Sequence, residues 1–381
     1  MTDQIDLKIR AGRVVCPGSG LDTRGEVAVR GERIAYVGSL PSGNAPIQLD
    51  FPEGILLPGL IDLHAHPARS GSRWGVDPDR HCLARGTTTV LSQGDAGADF
   101  CDDYVRETIE GSRTRVKLAL NLSATGEAGP GGCFERLESI DLPRCLAAVE
   151  RHREHIWGLS VNLSHHCCGQ TDPHEVLRRG LEAATQANLR LLIGLRRPDD
   201  WPLADQLKRL RPGDVVTYCY RRAPHCIVEA GRVLPCVREA RAAGVLFDVG
   251  HGTASFAFEV AEAAIADGFV PDTISTDLQR GHIGQTPVHD LPLVMSKLRA
   301  AGMTEADLFA CVTATPARIL GLTRQTGMLR PGLAADMVVL QWSPAPVPLF
   351  DAHGQTRMGQ LLEPVATVRR GTLVRPCEAA S

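Results

Sequence analysis

Three stretches of the sequence offer side chains that bind metals and move protons. Residues 61–66 read IDLHAH, so His64 and His66 stand two apart behind an apolar run. In a strand, residues i and i+2 point to the same side, and both imidazoles can then reach one ion. Residues 247–252 read FDVGHG, with His251 between two glycines that leave room for a ligand or substrate. Residues 274–277 read ISTD, and a carboxylate at Asp277 can ligate a metal and take a proton from its water. Each feature has a plainer explanation: two half-buried histidines, a loop histidine, a helix N-cap. Their weight comes from convergence, because they fall at the ends of strands one, six and eight.

The elements that must position them start at residue 59. Eight β runs follow in order: GLIDLHAH, TTTVLSQGD, VKLALNLS, IWGLSVNLS, LRLLIGLR, DVVTYCY, VLFDVGHG and TISTD. Amphipathic helical stretches such as PHEVLRRGLEAATQAN and SFAFEVAEAAIADG lie between several of them. This alternation predicts an α/β fold, a (β/α)8 TIM-like barrel over residues 59–324 with its chemistry at the C-terminal ends of the strands. Residues 1–58 read as short strands broken by turns, and GMLRPGLAADMVVLQW and EPVATVRRGTLV read as strands after one helix, TEADLFACVTATPARILGL. Residues 1–58 and 325–381 are therefore expected to build one small β-sandwich domain from both chain ends. The last six or so residues are expected to fray.

Bulk composition narrows the function classes. The 381 residues are 43% hydrophobic and 22% charged, ordinary values for a soluble globular chain. A net charge of −3 without blocks of like charge argues against nucleic acid and against an anionic membrane as partner. The N-terminus has no signal-peptide pattern and no apolar stretch is long enough to span a bilayer. Twelve scattered cysteines without CxxC spacing read as reduced thiols of a cytoplasmic protein. No GxSxG, P-loop or GxGxxG motif supports a serine hydrolase or a nucleotide-binding protein. The expected partner is a small-molecule substrate, and assembly into a homo-oligomer is left open.

The segments LPGLIDLHAHP, RGTTTV, VLFDVGHGTASFAFEVA, PDTISTDL, HDLPLVMSKL, VTATPARILGL and GMLRPGLAADMVVL resemble the amidohydrolase superfamily of metal-dependent hydrolases over nearly the whole chain. The glycine-rich DVGHG with ISTDL is most similar to the dihydroorotase-like deacetylases, which hydrolyse small N-acyl or O-acyl compounds. The resemblance implies that His64, His66 and Asp277 ligate the buried metal and that Asp277 shuttles a proton. It implies that His251 matches the strand-six histidine that ligates a second metal in binuclear members.

Two positions depart from that pattern. Where the relatives carry a strand-four lysine in GIKVR, whose carbamylated side chain bridges two metals, this chain reads GLSVN, with Ser160 at the lysine and Asn162 at the arginine position. Where their strand five reads VTHC, this chain reads VTYC, with Tyr218 for the histidine. Serine forms no carbamate, and a phenol of pKa about 10 ligates only once its proton is stripped. His64, His66 and Asp277 supply the three protein ligands that a catalytic zinc site uses. His165, His166, Cys167 and Cys168 follow strand four and offer substitute ligands, whereas Cys219 faces away from Tyr218.

The expectation is thus a hydrolase of a small N-acyl, O-acyl or cyclic amide compound with one divalent ion, most simply zinc. Asp277 takes the proton from water, His251 hydrogen-bonds the attacking group or tetrahedral intermediate, and Tyr218 donates to the oxyanion. Ser160, Asn162, His225 and His282, with Arg280, are candidates for substrate contact. Two alternatives stand beside it: a binuclear deacetylase with a rebuilt bridge, and a non-catalytic binding protein or subunit of the same fold.

Overall fold

The computed structural model describes residues 4–38 and 45–374. The predicted fraying of the C-terminus falls outside the described residues.

Seven parallel strands follow one another in sequence order around the barrel: Leu60–Ala65, Thr87–Gln93, Arg115–Asn121, Ile156–Asn162, Arg190–Gly194, Val215–Val216 and Leu246–Phe247. The eighth run, ISTD, is not a regular strand, yet it closes the barrel. Thr273 bridges in parallel to Asp248, and Leu278 bridges to Ala65. His251 N donates to Ser275 O at 3.1 Å on one side, and Asp277 N donates to His64 O at 2.7 Å on the other. The run VTYC is therefore strand six and DVGH strand seven, the places they hold in the order of β runs, and not the five and six taken from the family pattern.

Helices cover the outside for local reasons. In Pro173–Gln186, Asp172 caps the N-terminus by accepting from His174 N at 2.9 Å, and Pro173 occupies the first turn, where no N–H is needed. Val176, Leu177, Gly180, Ala183 and Ala184 are its buried residues, an i, i+1, i+4, i+7, i+8 stripe. The segment expected as one helix near residue 312 is two, Glu305–Cys311 and Ala314–Ile319. Pro316 has no N–H, and its ring would collide with the Val312 carbonyl in a continuous helix. That carbonyl instead accepts from Ile61 N at 2.8 Å, which ties the break to the strand carrying His64.

Both chain ends share one seven-stranded sheet. Met337–Trp342 lies antiparallel to Ile47–Pro58, whose other neighbour, Leu7–Cys16, runs parallel to it. Ile9, Val27, Val29, Leu56, Met337 and Val339 form its core. Asp336, fully buried at its side chain, joins this domain to the barrel: it pairs with Arg369 at 2.7 Å and with Arg115, on barrel strand three, at 3.0 Å. All eleven described cysteines are free thiols, including the adjacent Cys167 and Cys168. No helix among the described residues is long and apolar enough to cross a membrane.

Candidate metal centre

Every residue from Leu60 to Ala65 is buried, so the period-two strand delivers His64 and His66 to the inside of the barrel mouth. Asp277 arrives from the closing segment. Its Oδ1 lies 3.4 Å from His64 Nε2 and 3.3 Å from His66 Nε2. The three side chains offer ligand atoms within 4.8 Å of one another.

The neighbours of the two imidazoles fix which nitrogen faces the centre. His64 Nδ1 is 2.7 Å from Thr217 Oγ1, and that hydroxyl donates its one proton to Asp248 Oδ2 at 2.8 Å. The Thr217 oxygen must therefore accept from His64, which puts the proton on Nδ1. His66 Nδ1 is 3.0 Å from Asp95 Oδ1, a carboxylate that only accepts. Both Nε2 atoms are left to face Asp277. Such outer partners fix the tautomer and raise the basicity of metal-binding histidines.

Asp277 Oδ1 is buried and has no hydrogen-bond partner. With the imidazoles neutral, one anionic oxygen and two nitrogen atoms thus converge with no bonded proton among them, an arrangement that calls for positive charge at its centre, from a cation or from protons on the imidazoles. The electrostatics agree. Burial disfavours a charged His64, but the Asp277 and Asp248 carboxylates outweigh it and lift its pKa to about 9. Burial likewise opposes a charged His66, yet Asp95 and Asp277 raise it. Burial would raise the Asp277 carboxyl, and the two imidazoles instead hold it well below the usual range. Two imidazoles and a carboxylate also match the ligand chemistry of a divalent ion such as zinc.

Tyr218 stands beside this group. Its Oη is 3.4 Å from His64 Nε2, and the two rings meet edge to face at 5.0 Å. Burial and the Asp277 charge push the phenol well above its ordinary pKa, so it stays protonated and able to donate. Tyr218 and Asp277 both have left-handed backbone, at φ +66° and +50°. That conformation is strained for a non-glycine residue and is held where the surroundings over-determine it. One determinant is Gly252, at φ +53°, where a Cβ would lie 2.6 Å from Asp277 Oδ2.

The structure does not bring His251 to this group. Its Nδ1 faces its neighbour Gly252 O at 2.8 Å, and its Nε2 faces Lys297 Nζ at 2.9 Å. Burial and the Lys297 charge keep it neutral, and its ring stacks on Phe256 at 4.9 Å. Ser160 is also set back: it is 1% exposed, and its Oγ accepts from Gln93 Nε2 at 3.0 Å. Gln93, not Ser160, lines the cavity. His282 is buried and stacks on His289 at 3.8 Å, outside the cavity wall, and Arg280 is likewise not part of that wall. Asn162 and His225 do line it. So do His165, His166 and Cys167, whereas Cys168 does not.

The cavity over the centre holds about 750 Å³. Its wall includes Arg197, Arg221 and Arg222, against which Asp277 and Glu127 are the carboxylates. Burial first, then the Arg221 and Arg197 charges, push His225 down to about 4. Sequence reasoning missed Asp95, Thr217, Asp248, Gln93 and Lys297. Asp95 and Asp248 had a signal, an acid at the end of an apolar β run, but Lys297 looked like any lysine of an amphipathic helix.

The family profile described as the amidohydrolase family matches residues 255–371. A deacetylase of Agrobacterium fabrum is 34% identical over 338 residues, covering 87% of this chain and 82% of its own. The chain belongs to the amidohydrolase family. It is accordingly a hydrolytic enzyme acting on C–N bonds, not a binding module of the same fold. A Brucella anthropi deacetylase is 33% identical to this amidohydrolase and covers 84% of it and 81% of its own length. Among solved structures, one described as a dihydroorotase superposes with a TM-score of 0.87 at 31% identity, covering 98% of both chains. One described as an adenine deaminase has the same TM-score of 0.87 at 26% identity, covering 97% of this chain and 99% of its own. The resemblance to the dihydroorotase-like deacetylases thus holds over 84 to 87% of the chain in sequence, and the likeness to the dihydroorotase structure over 98%.

Proposed function

We propose that this amidohydrolase removes an acyl group from, or opens the ring of, a small amide or ester that carries a negative charge, using one divalent ion at the His64–His66–Asp277 centre. The observation that carries the reading is the orphaned Asp277 Oδ1 facing two nitrogens whose protons lie on their far sides. His64 Nε2, His66 Nε2 and Asp277 would hold the ion, most simply zinc, which supplies Lewis acidity and lowers the pKa of water. Asp277 Oδ2 accepts a proton from the attacking water and returns it to the leaving nitrogen or oxygen. Tyr218 Oη donates to the carbonyl oxygen as negative charge develops there. Two expected features of a bridged second ion have no support here. Ser160 lies beneath Gln93, and His251 turns to Lys297.

The negative charge of the substrate is read from the cavity wall. Arg221 lies over the Tyr218 ring at 4.2 Å and bonds Ser255 through Nε at 2.9 Å, which leaves its outer nitrogens for a ligand. A carboxylate there would be held next to the reacting carbonyl, replacing the anchor that Asn162 cannot supply.

The test is a panel of N-acyl and O-acyl compounds in matched pairs, with and without a carboxylate. Asp277→Asn is expected to abolish turnover in folded protein, and Arg221→Met to raise KM for the carboxylate members about tenfold or more while sparing the neutral ones. Turnover near wild type in Asp277→Asn would sink the mechanism. Equal effects of Arg221→Met on both members of each pair would sink the charge assignment.

A further inference from the structure

A second group of ligand-type side chains reaches the same cavity through two of its members and shares no residue with the histidine centre. Glu127, Cys133 and Cys167 bring a carboxylate oxygen and two sulfur atoms within 4.8 Å of one another. They are 7%, 8% and 4% exposed. Glu127 and Cys133 belong to the loop after barrel strand three, and Cys167 to the short helix His165–Cys168 after strand four.

The two loops are fastened together at this point. Phe134 N donates to Cys167 O at 2.8 Å. At Gly132 a Cβ would lie 2.3 Å from His166 O and 2.5 Å from Cys167 O, so only glycine lets the loop carry Cys133 this close. Glu127 is aimed by two further bonds: its Oε2 accepts from Arg73 Nη2 and from Trp74 Nε1, each at 3.1 Å. Those bonds leave Oε1 available.

We propose that Glu127, Cys133 and Cys167 form a separate, thiolate-rich metal site that takes zinc or a comparably soft divalent ion. Two thiolates and a carboxylate select such ions over magnesium or calcium, which want oxygen ligands throughout. The charges balance: three negative ligands face a dication and the Arg73 guanidinium, whose Nη2 already lies 3.1 Å from Glu127. Three protein ligands leave a fourth position, and Glu127 and Cys167 both border the cavity from which it would be filled. An ion here would clamp the loop after strand three to the helix after strand four. The histidine centre remains mononuclear, and the chain as a whole would carry two ions.

Cobalt(II) substitution of the purified protein tests this, because a thiolate bound to cobalt gives a charge-transfer band that imidazole and carboxylate do not. Two ions per chain and a thiolate band are expected. Cys133→Ser and Cys167→Ser should each remove the band and one ion, while Asp277→Asn should remove the other ion and keep the band. Glu127→Gln, which preserves the side chain's shape, should speed loss of the thiolate-bound ion to a chelator about tenfold or more. The proposal fails if the loaded wild-type protein shows no thiolate band, or if the band survives both cysteine variants. It also fails if thiol titration of the denatured, unreduced protein finds two fewer than its twelve cysteines, with a peptide linking Cys133 to Cys167. The band reports only the cysteine ligands, so loss of the histidine centre would not be mistaken for loss of this site.

Discussion

His64 Nδ1 and Thr217 Oγ1 lie 2.7 Å apart, and the Thr217 proton is already given to Asp248. A threonine hydroxyl thus sets the tautomer of a histidine on the far side of the barrel. Thr217→Val keeps the shape and removes the acceptor, leaving a buried Nδ1–H unpaired. Metal affinity at the histidine centre should fall about 10- to 100-fold, the range found when an outer partner of a metal-binding histidine is lost. Thr217→Ser should restore most of it. Competition against a chelator measures both.

Gly252→Ala should damage the centre more than a strained glycine elsewhere does. Both Gly252 and Gly268 have left-handed φ, but only at Gly252 would the new Cβ meet a group, Asp277 Oδ2 at 2.6 Å; nothing lies within 4 Å at Gly268. Gly268→Ala is expected to cost about 1 kcal/mol of stability and leave turnover intact. Gly252→Ala should lose metal affinity and turnover together, read from metal retention and kcat/KM side by side.

Tyr218→Phe separates an oxyanion donor from a metal ligand. The phenol stays protonated, because burial and Asp277 hold its pKa high. Removing it should lower kcat about 10²- to 10³-fold, the cost of one lost oxyanion donor, with the metal count and KM little changed. A drop in metal content with the same substitution would assign Tyr218 to ligation instead.

Lys297 gives a pH signature in stability. Burial lowers its pKa to about 8 from 10.5 in the unfolded chain. Between those values the unfolded state binds the extra proton, so the lysine's contribution to stability rises with pH across that window. Below pH 8 the native state must hold the buried charge. The stability difference, wild type minus Lys297→Met, should therefore increase from about pH 8 toward 10.5 in denaturant titrations. A difference that stays flat with pH would refute the shifted lysine.

The parts of the site that sequence alone revealed are those with a short-range rule behind them. His64 and His66 share a face because strands repeat every two residues, and ISTD ends a β run. His251 misled because the turn around it decides where its ring goes. A glycine-flanked histidine at a strand end can face the barrel axis or, as here, Lys297. Ser160 misled because the reading could not see Gln93, two strands away in the sheet, covering it. The numbers five and six for VTYC and DVGHG came from the family pattern and not from the order of the β runs, in which LRLLIGLR is already the fifth. The broken helix was readable after all, since Pro316 sits where a continuous helix has no place for it. Glu127, Cys133 and Cys167 were beyond reach, because loop docking and not periodicity brings them together.

The strand Met337–Trp342 lies directly against Ile47–Pro58. A chain leaving the ribosome therefore exposes one edge of its first sheet throughout synthesis of the whole barrel. Such late pairing favours slow folding and gives the half-made chain a sticky edge. A late arrival also delays the proposed metal centre, because Val312 must emerge to bind Ile61 and Asp277 must emerge to bind His64. An ion supplied early would find only the histidines of the proposed centre, because its third ligand, Asp277, is made more than two hundred residues later.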